Sequence, residues 1–546
     1  MNKKSVVFLI SLCVFLLLGT AVAGAQKAVP LQSNTSNDAG ETPPADRVLT
    51  TPNTVITVTS GIDLDTSKSA TCISEPVCTL RRAIVQSRGL TAGELPVLIS
   101  FDIPEDPAEG YDAALDAWEL PILSTTDASV FRRIKGQVII DGETQPGGRT
   151  DGPKIILIGP GTGQKDGFIV GDVAGDDAIE IRGLAFQNFK THITVNTDNN
   201  LIENNWFGLA SNGTAVYLRN NNPEDGSGSA GVALSAGADN NTIRNNVFAG
   251  LDGVAAAIRG SNNLFENNLV GTRADGSVPK QTDPNLICTT VDWLGGGGVS
   301  VADNGSQIQN NVFAGLRQEI FTISTQPDAV RIDGDNHIVQ NNQIGLDGND
   351  AKVGVCGRGI YLAGANSPEN TQVLNNQIIN PELSAISING VLVDANLLRG
   401  NVIEKTTAWP QIQGNPEPEA PIQFGSTVPT SLRDFVPAEV TAVNGTSVSG
   451  SSGAGSPCPN CVIELFLDDK DDIVEALQSL AVVTANSSGN WTAVIPFELT
   501  AGQGIRTTST SAQYNTIPGM SADTTTELSA LYDAGNYEVF LPAVIR

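Results

Sequence analysis

The sequence predicts an all-β protein whose main part is a solenoid, and three observations support that prediction. Residues 199–208 read Asn-Asn-Leu-Ile-Glu-Asn-Asn-Trp-Phe-Gly, and near copies follow at residues 240–250 and 262–271. The second Asn of each closing pair recurs every 22 to 43 residues, a spacing typical of stacked repeats. Glycine is frequent (56 residues) while aromatic residues make up 5%, which favours turns and short strands over helices. The recurring positions are Asn205, Asn246, Asn268, Asn311, Asn342, Asn376 and Asn401.

Length and charge limit the number of domains and the kinds of partner. A chain of 546 residues is longer than one small core requires, so we expect at least two domains. Its 31 Lys and Arg residues stand against 59 Asp and Glu residues, giving a formal net charge of −28. Such a surface repels phosphate backbones and anionic lipids, so we predict no nucleic-acid partner and no membrane-surface partner.

The N-terminus is predicted to be a targeting segment. Two lysines precede an apolar run over residues 6–18, and small residues follow with cleavage patterns ending at Ala23 or Ala25. The run is too short to span a bilayer comfortably. We therefore interpret residues 1–25 as the signal peptide of a secreted protein with no membrane span after its removal, and residues 26–54 as a flexible spacer. Export makes the remaining cysteines candidates for disulfides.

A cap is predicted where the solenoid begins. Strand-like residues 55–58 are followed by Thr79, which can cap a short helix with its apolar side chains on one face. An open solenoid end exposes core and unpaired strand edges, so we assign residues 55–86 to the cap. Cys72 and Cys78 are close enough in sequence to close a small loop there, with two unrelated buried thiols as the alternative.

Each repeat is predicted to hold two short strands around a polar turn, with side chains alternating between interior and solvent. One Asn of each pair is expected to join an internal ladder, because its amide can bond both the turn backbone and the neighbouring Asn. Asn also tolerates the left-handed backbone of such a corner. We therefore interpret the Asn residues as structural rather than as glycosylation or metal sites. The interior rows are Ile202, Ile243, Phe265, Ile308, Val339 and Val373, and Phe207, Phe248, Val270, Phe313 and Ile344.

Two motifs carry a resemblance to a known family. Cys78-Thr79-Leu80-Arg81-Arg82-Ala83 is similar to a Cys-Ser-Leu-Arg-Glu-Ala motif, and Ile140-Asp141-Gly142-Glu143-Thr144-Gln145-Pro146-Gly147 is similar to an Ile-Asp-Gly-Thr-Thr-Gln-Pro-Gly turn. With the Asn repeats, they resemble secreted bacterial pectin-lyase-like proteins. The resemblance implies a right-handed single-stranded parallel β-helix with a short N-terminal capping helix over residues 55–403. It implies no single activity, because this architecture carries polysaccharide lyases, hydrolases and non-catalytic surface proteins.

Catalytic and substrate-binding residues are expected at the outward-facing positions of the strands. Among them Arg259, Arg331, Asp333 and Tyr361 form the most reactive-looking set. A lyase acting on an anionic sugar needs an Arg or Lys base near an acid or a Ca²⁺ ion that neutralises the substrate carboxylate. We therefore predict Arg259, Arg331 and Asp333 as catalytic and Tyr361 as substrate-binding, with Ca²⁺ as a candidate cofactor. The alternative is an ordinary solvated β face.

A hydrolase is the less favoured class of enzyme. Three fragments are similar to parts of the polygalacturonase signature, but they occur in the wrong order, and no Gly-His-Gly element accompanies them. A two-carboxylate inverting site is therefore not assigned, and a polysaccharide lyase is favoured over a glycoside hydrolase. The fragments are Asn196-Thr197-Asp198, Asp176-Asp177 and Arg133-Ile134-Lys135.

Insertions break the repeat at residues 210–231, 274–298 and 347–358. Insertions in a solenoid form loops that often line its binding face. Cys288 and Cys356 fall in the second and third insertions, and we predict a disulfide between them. Trp293 is a candidate substrate-binding platform on which a sugar would stack, and the alternative is a Trp packed over the coil.

The repeat is lost beyond residue 403. Residues 404–435 are rich in Pro and are predicted to be a linker, and residues 436–531 hold short alternating strands typical of a β-sandwich. That segment resembles the immunoglobulin-like modules of exported proteins. Cys458 and Cys461 have no second cysteine pair and no nearby His for zinc, so a local disulfide is predicted.

An acidic hairpin and a short apolar tail complete the chain. Asp468, Asp469, Asp471 and Asp472 offer ligands for Ca²⁺ but lack the spacing of a known calcium loop, so a solvated hairpin tip is favoured. Residues 532–546 are the C-terminal tail. Within it, residues 537–546 resemble a terminal Phe-Leu-Pro signature of exported proteins, which indicates surface retention, with a plain final strand as the alternative.

Two functions follow from these patterns. The first is a secreted or surface-attached protein that binds an extracellular polysaccharide or cell-surface component and, if it is an enzyme, cleaves it as a lyase. The second is a non-enzymatic surface or adhesion protein. Release of unsaturated sugars that absorb ultraviolet light distinguishes the two.

Overall fold

Short β-strands make up most of the chain in a computed structural model that describes residues 51–533, apart from residues 65–68, 126, 161–164, 172–177, 215–229, 252, 280–295, 317–326, 364–367, 406–419, 453–457 and 513–520. All described residues belong to one compact unit, Pro43–Arg546. None of the helices in this part of the chain is both long and apolar enough to cross a membrane.

The described helices are α1 (Leu80–Ser87) and α2 (Thr430–Arg433), with short 3-10 helices at Ala92–Glu94, Pro107–Glu109 and Gly142–Thr144. The first strands are β1 (Thr54–Val58), β2 (Val97–Phe101), β3 (Tyr111–Asp112), β4 (Ala117–Pro121), β5 (Val138–Asp141), β6 (Ile155–Ile158), β7 (Phe168–Val170), β8 (Glu180–Arg182), β9 (Leu184–Gln187), β10 (Thr191–Val195), β11 (Leu201–Glu203) and β12 (Trp206–Phe207). The central strands are β13 (Ala230–Leu234), β14 (Thr242–Arg244), β15 (Val247–Phe248), β16 (Val254–Ile258), β17 (Leu264–Glu266), β18 (Leu269–Val270), β19 (Gly297–Ala302), β20 (Gln307–Gln309), β21 (Val312–Phe313), β22 (Val330–Asp333), β23 (Ile338–Gln340), β24 (Gln343–Ile344) and β25 (Ile360–Ala363). The last strands are β26 (Gln372–Leu374), β27 (Gln377–Ile379), β28 (Ile386–Asn389), β29 (Leu397–Arg399), β30 (Val402–Glu404), β31 (Ile422–Phe424), β32 (Glu439–Asn444), β33 (Ser447–Ser451), β34 (Val462–Asp468), β35 (Gln478–Thr484), β36 (Asn490–Val494), β37 (Gly504–Thr510) and β38 (Tyr532–Asp533).

Parallel pairing stacks strands β1 to β31 into three long sheets. The first runs β1-β2-β5-β8-β11-β14-β17-β20-β23-β26-β29, the nine-stranded second runs β7-β10-β13-β16-β19-β22-β25-β28-β31, and the third runs β3-β4-β6-β9-β12-β15-β18-β21-β24-β27-β30, with β3 and β4 antiparallel. Neighbouring strands of a sheet come from successive coils, so the chain winds as a parallel β-helix. The predicted fold class is confirmed.

The β-helix continues past residue 403, where the repeat ends in the sequence. Strand β31 pairs in parallel with β28 and lies inside the segment assigned to a linker, residues 404–435. Its single strand has no Asn pair beside it, so the repeat pattern gave no sign of it. The nine-stranded sheet therefore ends one strand later than the Asn count indicates.

The N-terminal helix packs on the first coil as the cap. The Thr79 side chain accepts a hydrogen bond from the backbone N–H of Arg82, and the apolar face of α1 is buried in the core. Arg81, from the motif, is buried and forms an ion pair with Asp63, its Nε lying 2.8 Å from Oδ1. The guanidinium also donates to the carbonyl of Leu123. Arg81 therefore ties the cap to the coil beneath it.

A ladder of buried Asn side chains runs along one corner of the β-helix. In each step the Oδ1 of one Asn accepts from both the backbone N–H and the Nδ2 of the Asn one coil earlier, as between Asn311 and Asn342 at 3.0 Å in both contacts. Each Nδ2 also donates to a strand carbonyl, for example from Asn311 to Phe265 at 2.9 Å. The predicted internal ladder is confirmed, and its members are Asn205, Asn246, Asn268, Asn311, Asn342, Asn376 and Asn401.

The other Asn of each pair makes the turn. These residues are exposed and have left-handed backbones, with φ of +57° at Asn310 and +55° at Asn341, and Gly400 takes the same place with φ +67°. The two halves of the Asn pair therefore do different work: the first bends the chain, and the second holds one coil on the next. The members of this set are Asn204, Asn245, Asn267, Asn310, Asn341 and Asn375.

The predicted interior rows are formed in register. Ile202 pairs with Ile243, Ile243 with Phe265, and the row continues to Val373. In the second row the rings of Phe207 and Phe248 stack with centroids 4.8 Å apart. Such stacked aromatic pairs add to the stabilisation that burial provides.

A second ladder lies at another corner and changes its residue type along the way. Asn200, Asn241 and Asn263 are followed by Ser306 and then by His337, whose Nδ1 accepts the Ser306 backbone N–H at 3.2 Å. The His337 Nε2 lies 2.7 Å from the Asp303 carbonyl and donates to it. A neutral imidazole thus fills a place that Asn holds in earlier coils, and burial lowers the pKa of His337.

The C-terminal region is a two-layer β-sandwich. Strands β32-β33-β36 form one antiparallel sheet and β35-β34-β37-β38 form the other. Their shared core includes Trp491, Ile463 and Ile505. Strand β38 begins the segment predicted to be a tail, and residues 534–546 lie outside the described residues.

Two of the predicted disulfides lie in the described part of the chain, Cys72–Cys78 and Cys458–Cys461. Cys356 is buried and is also disulfide-bonded. Its partner is outside the described residues, as Cys288 is.

Replacing Asn311 by Ala is expected to destabilise the β-helix strongly. The change removes four buried hydrogen bonds and leaves groups on Phe265, Asn268 and Asn342 without them. Since each buried group left unsatisfied costs about 1–3 kcal/mol, we expect a loss of about 3–5 kcal/mol in the free energy of unfolding, measured by denaturant titration. The matched control is Asn310→Gly, an exposed left-handed position where we expect a change within about 0.5 kcal/mol. Equal losses in the free energy of unfolding for the two variants would contradict the separate roles of the two Asn residues in a pair.

Replacing His337 by Asn is expected to remove a source of acid sensitivity. The folded-state pKa of His337 lies below its ordinary value of 6.5, so its contribution to stability is present above pH 6.5 and is lost as the pH falls. At pH 5 this loss amounts to at most about 2 kcal/mol, from 1.36 kcal/mol per pKa unit. We expect the melting temperature of the wild type to fall more between pH 7 and pH 5 than that of His337→Asn. Parallel curves for the two proteins would be inconsistent with a buried neutral imidazole.

Candidate functional site

The outer faces of the three sheets carry different side chains. On the third sheet, Trp206 and Val247 are buried under short loops that bond to one another, as in the contact from the Ala274 N–H to the Gly213 carbonyl at 3.0 Å. On the first sheet, charges compensate along one row: Arg182 pairs with Asp141. On the nine-stranded sheet the described outward side chains are chemically varied, and Arg259 and Arg331 among them are exposed.

Two outward rows run along the nine-stranded sheet. In the first row the register places small residues on β13, β16 and β19, and larger side chains on β22 and β25. The first row contains Ile169, Thr194, Ala233, Ala257, Ser300, Arg331, Tyr361, Ser387 and Gln423.

Tyr361 organises two positive charges on this face. Arg331 pairs with Tyr361 in the register of β22 and β25, and its guanidinium carbon lies 5.1 Å from the centre of the ring. The guanidinium carbon of Arg358, three residues before Tyr361, lies 4.4 Å from the same centre. Both distances fall within the range of cation–π contacts. We call Arg331, Arg358 and Tyr361 the arginine–tyrosine cluster.

Asp328 holds Arg358 in the cluster. Its Oδ1 accepts the backbone N–H of Arg358 at 3.0 Å and lies 3.6 Å from the guanidinium Nη1. Burial raises the pKa of Asp328, while the Arg358 N–H and the positive charges of Arg358 and Arg331 act in the opposite direction. Because the Asp328 carboxylate is engaged by Arg358, its role is to hold Arg358 in the cluster.

Asn389 and Thr427 extend the cluster into the last coil. Asn389 lies one coil after Tyr361, and its Nδ2 donates to the Tyr361 hydroxyl oxygen at 3.4 Å. The Thr427 hydroxyl donates to the Asn389 Oδ1. Strand β31, just before Thr427, is held in turn by the Glu527 carboxylate, which accepts the Phe424 N–H at 2.7 Å.

The predicted residues Arg259 and Asp333 lie in the second outward row. This row lies two residues further along each strand and contains Asn196, Ser235, Arg259, Ala302, Asp333, Ala363 and Asn389. Ile258 pairs with Val301, and Asp333 pairs with Ala302, so one strand separates Arg259 from Asp333. Two strand spacings of about 4.8 Å set their backbones about 10 Å apart. Arg331 and Asp333 share β22 and the same face. The structure thus gathers Arg331 and Tyr361 into contact, keeps Asp333 beside them, and leaves exposed Arg259 at the margin.

Arg358 and Asp328 were missed by the sequence pattern. They precede strands at a bend where two consecutive residues point inward, as Ala329 and Val330 do, so simple alternation cannot assign them a face. The fragments Asp176-Asp177 and the residue Trp293 lie outside the described residues. Asn196 has a structural role, since its Oδ1 accepts from the Ser235 hydroxyl at 2.7 Å.

The described residues contain one acidic group suited to a metal ion, and it lies in the β-sandwich. Oxygen atoms of Asp469, Asp471 and Glu475 lie within 4.8 Å of one another. Burial, together with the neighbouring acids, raises the pKa of Glu475 to about 7. Asp468 is instead buried in an ion pair with Arg506. Carboxylates are the ligands that Ca²⁺ prefers, but a solvated hairpin tip stays the prediction here, with calcium binding as the alternative.

Comparison with known proteins gives distant likenesses. No protein-family model matches the chain, and no curated protein sequence matches it. A Geobacillus virus E2 protein, ORF18, is 10% identical with a TM-score of 0.37 over 82% of this chain and 77% of that chain. A tailspike double mutant of E. coli bacteriophage HK620 is 12% identical with a TM-score of 0.29 over 79% and 88%. The catalytic domain of a GH87 alpha-1,3-glucanase in complex with nigerose is 11% identical with a TM-score of 0.27 over 68% and 69%. Likenesses this distant carry no argument about the activity of this chain.

Proposed function

We propose that this chain is a secreted or surface-attached β-helix protein that binds an acidic extracellular polysaccharide on the outer face of its nine-stranded sheet. The observation that carries the proposal is the contact of two guanidinium groups, Arg331 and Arg358, with one ring, Tyr361. A chain with a net charge of −28 repels anions over most of its surface. Two guanidinium groups meet here, of which Arg358 is paired with Asp328, and their N–H donors favour an anionic ligand at this place over the rest of the surface.

The chemistry of the cluster fits a sugar acid. A guanidinium group presents several N–H donors in one plane and binds carboxylates through paired hydrogen bonds. The neighbouring outward residues Ala257, Ser300 and Ala302 are small, so the surface beside the cluster admits an extended chain. Binding without cleavage is also what a surface or adhesion protein requires, and the proposal includes that role.

Cleavage by a lyase is the second candidate. Its support is the position of Arg331 and Asp333 on one strand and one face. β-elimination needs a base near the proton that is removed, and guanidinium groups stay protonated in proteins, so the cluster is better suited to binding. In the lyase version Arg259, Arg331 and Asp333 are catalytic, and Tyr361 and Trp293 bind the substrate.

Loss of either guanidinium is expected to weaken binding to a polyuronate. We expect Arg331→Ala and Arg358→Ala each to raise the dissociation constant for polygalacturonate at least about tenfold, equal to about 1.4 kcal/mol, in calorimetric titrations at low salt. Dextran, which is neutral, serves as the reference polymer and is expected not to bind. Arg132→Ala removes one exposed positive charge next to β7, five strands from β22, and is expected to leave affinity unchanged. Wild-type affinity in both cluster variants would move the binding site elsewhere.

A search for products separates binding from cleavage. We expect no increase in ultraviolet absorbance from unsaturated sugar ends when the protein is incubated with a polyuronate panel, with or without Ca²⁺. If product appears and Arg331→Ala or Asp333→Asn abolishes it, the lyase version replaces the binding version. If product appears and both variants retain it, the reaction takes place away from this face.

A further inference from the structure

Asn389 lies between the hydroxyl groups of Thr427 and Tyr361. Its Oδ1 faces Thr427, whose hydroxyl donates to it, and its Nδ2 faces the Tyr361 oxygen at 3.4 Å. Gly425 allows this placement, because a Cβ there would lie 2.4 Å from the Asn389 Oδ1. In this orientation the amide accepts from Thr427 and donates to the cluster.

That orientation decides what the Tyr361 hydroxyl offers to a ligand. A phenol has one O–H donor and an oxygen that accepts. Since Asn389 occupies the oxygen as a donor, the O–H of Tyr361 is left to donate to another group. The guanidinium groups of Arg331 and Arg358 are also donors without acceptor capacity. Three side chains at one place thus present donors, which matches an oxyanion and does not match a donor-rich cation or amine.

We propose that Asn389, oriented by Thr427, is a positioning residue that fixes the Tyr361 hydroxyl as a hydrogen-bond donor to the acidic group of the bound polysaccharide. The inference rests on the proposed function and adds the chemistry of the ligand atom, an oxygen of a carboxylate or of a sulfate ester. It also extends the site to the end of the β-helix, because Asn389 and Thr427 lie in the coils that follow those of the two arginines.

A double-mutant cycle tests the inference. We expect Tyr361→Phe to weaken polygalacturonate binding about tenfold and Asn389→Ala about threefold to fivefold, because the second change loosens the hydroxyl without removing it. In a Tyr361→Phe background we expect Asn389→Ala to have no further effect, since residues that act through one group are not additive. Asn389→Asp is expected to weaken binding more than Asn389→Ala, because a carboxylate accepts the Tyr361 O–H and adds negative charge.

The control is Asn196→Ala. Asn196 is an outward residue of the second row, near the opposite end of the sheet. Its Oδ1 accepts from the Ser235 hydroxyl, as the Asn389 Oδ1 accepts from Thr427. The affinity of the Asn196→Ala variant for polygalacturonate is expected to equal that of the wild type. If Asn389→Ala does not fold, Thr427→Val removes the orienting hydroxyl with little change in shape and takes its place in the cycle. Dextran sulfate in parallel titrations shows whether the acidic group is a sulfate ester or a carboxylate.

The outcomes separate the two proposals. A wild-type protein that binds neither acidic polymer overturns the proposed function and this inference with it. Wild-type binding that Asn389→Ala leaves unchanged, or weakens by the same factor whether or not Tyr361→Phe is present, overturns the inference alone.

Discussion

The ladder of buried Asn amides is the interaction on which the rest of the β-helix depends. Each amide bonds the backbone and the side chain of the coil before it, so the corner of every coil has a fixed position relative to the next. The chain between corners is free to differ in length, and it does: the Asn positions recur at intervals from 22 to 43 residues. A solenoid held at its corners tolerates insertions elsewhere, because loop length has a weak effect on stability. This freedom lets the outer faces of three similar sheets carry very different side chains.

Sheet register then brings together residues that are far apart in sequence. Arg331 and Tyr361 belong to successive coils and become neighbours because their strands pair in parallel. The same pairing on the first sheet brings Arg244 against Glu203, with Nε and Oε2 2.9 Å apart, and the charges cancel. On the nine-stranded sheet the register brings Arg331 to the Tyr361 ring, which Arg358 also contacts while it is paired with Asp328. Similar backbone geometry therefore yields a row of ion pairs on one face and a guanidinium–aromatic cluster on another, and the side chains make the difference.

The sequence predicts the parts of this molecule that follow a period. The interior rows, the division of the Asn pair and the cap at Leu80 all come from alternation, spacing or a capping residue. The second ladder is harder to predict, because Ser306 and His337 fill the place of Asn with different atoms. Arg358 and Asp328 escape prediction because the strand bends where they lie, and Asn389 could be placed on the outer face but not beside Thr427. Whether two residues meet across a bend, or between a loop and a strand, depends on the folded positions of both segments. A local sequence pattern does not contain that information.

The contacts that close the C-terminal end of the β-helix also shape the candidate site. Three carboxylates beyond the last coil accept backbone N–H groups from the ends of all three sheets: Glu464 from Gly400 at 3.1 Å, Glu475 from Lys405 at 2.6 Å, and Glu527 from Phe424 at 2.7 Å. Backbone N–H groups that are left unpaired where a sheet ends need hydrogen-bond acceptors. Phe424 belongs to β31, and β31 leads directly to Thr427, which orients Asn389 beneath the Tyr361 hydroxyl. The β-sandwich therefore holds the strand that positions the cluster. A candidate site near the end of a solenoid requires an ordered end, and here the closure of that end and the placement of Thr427 beside Asn389 depend on the same strand.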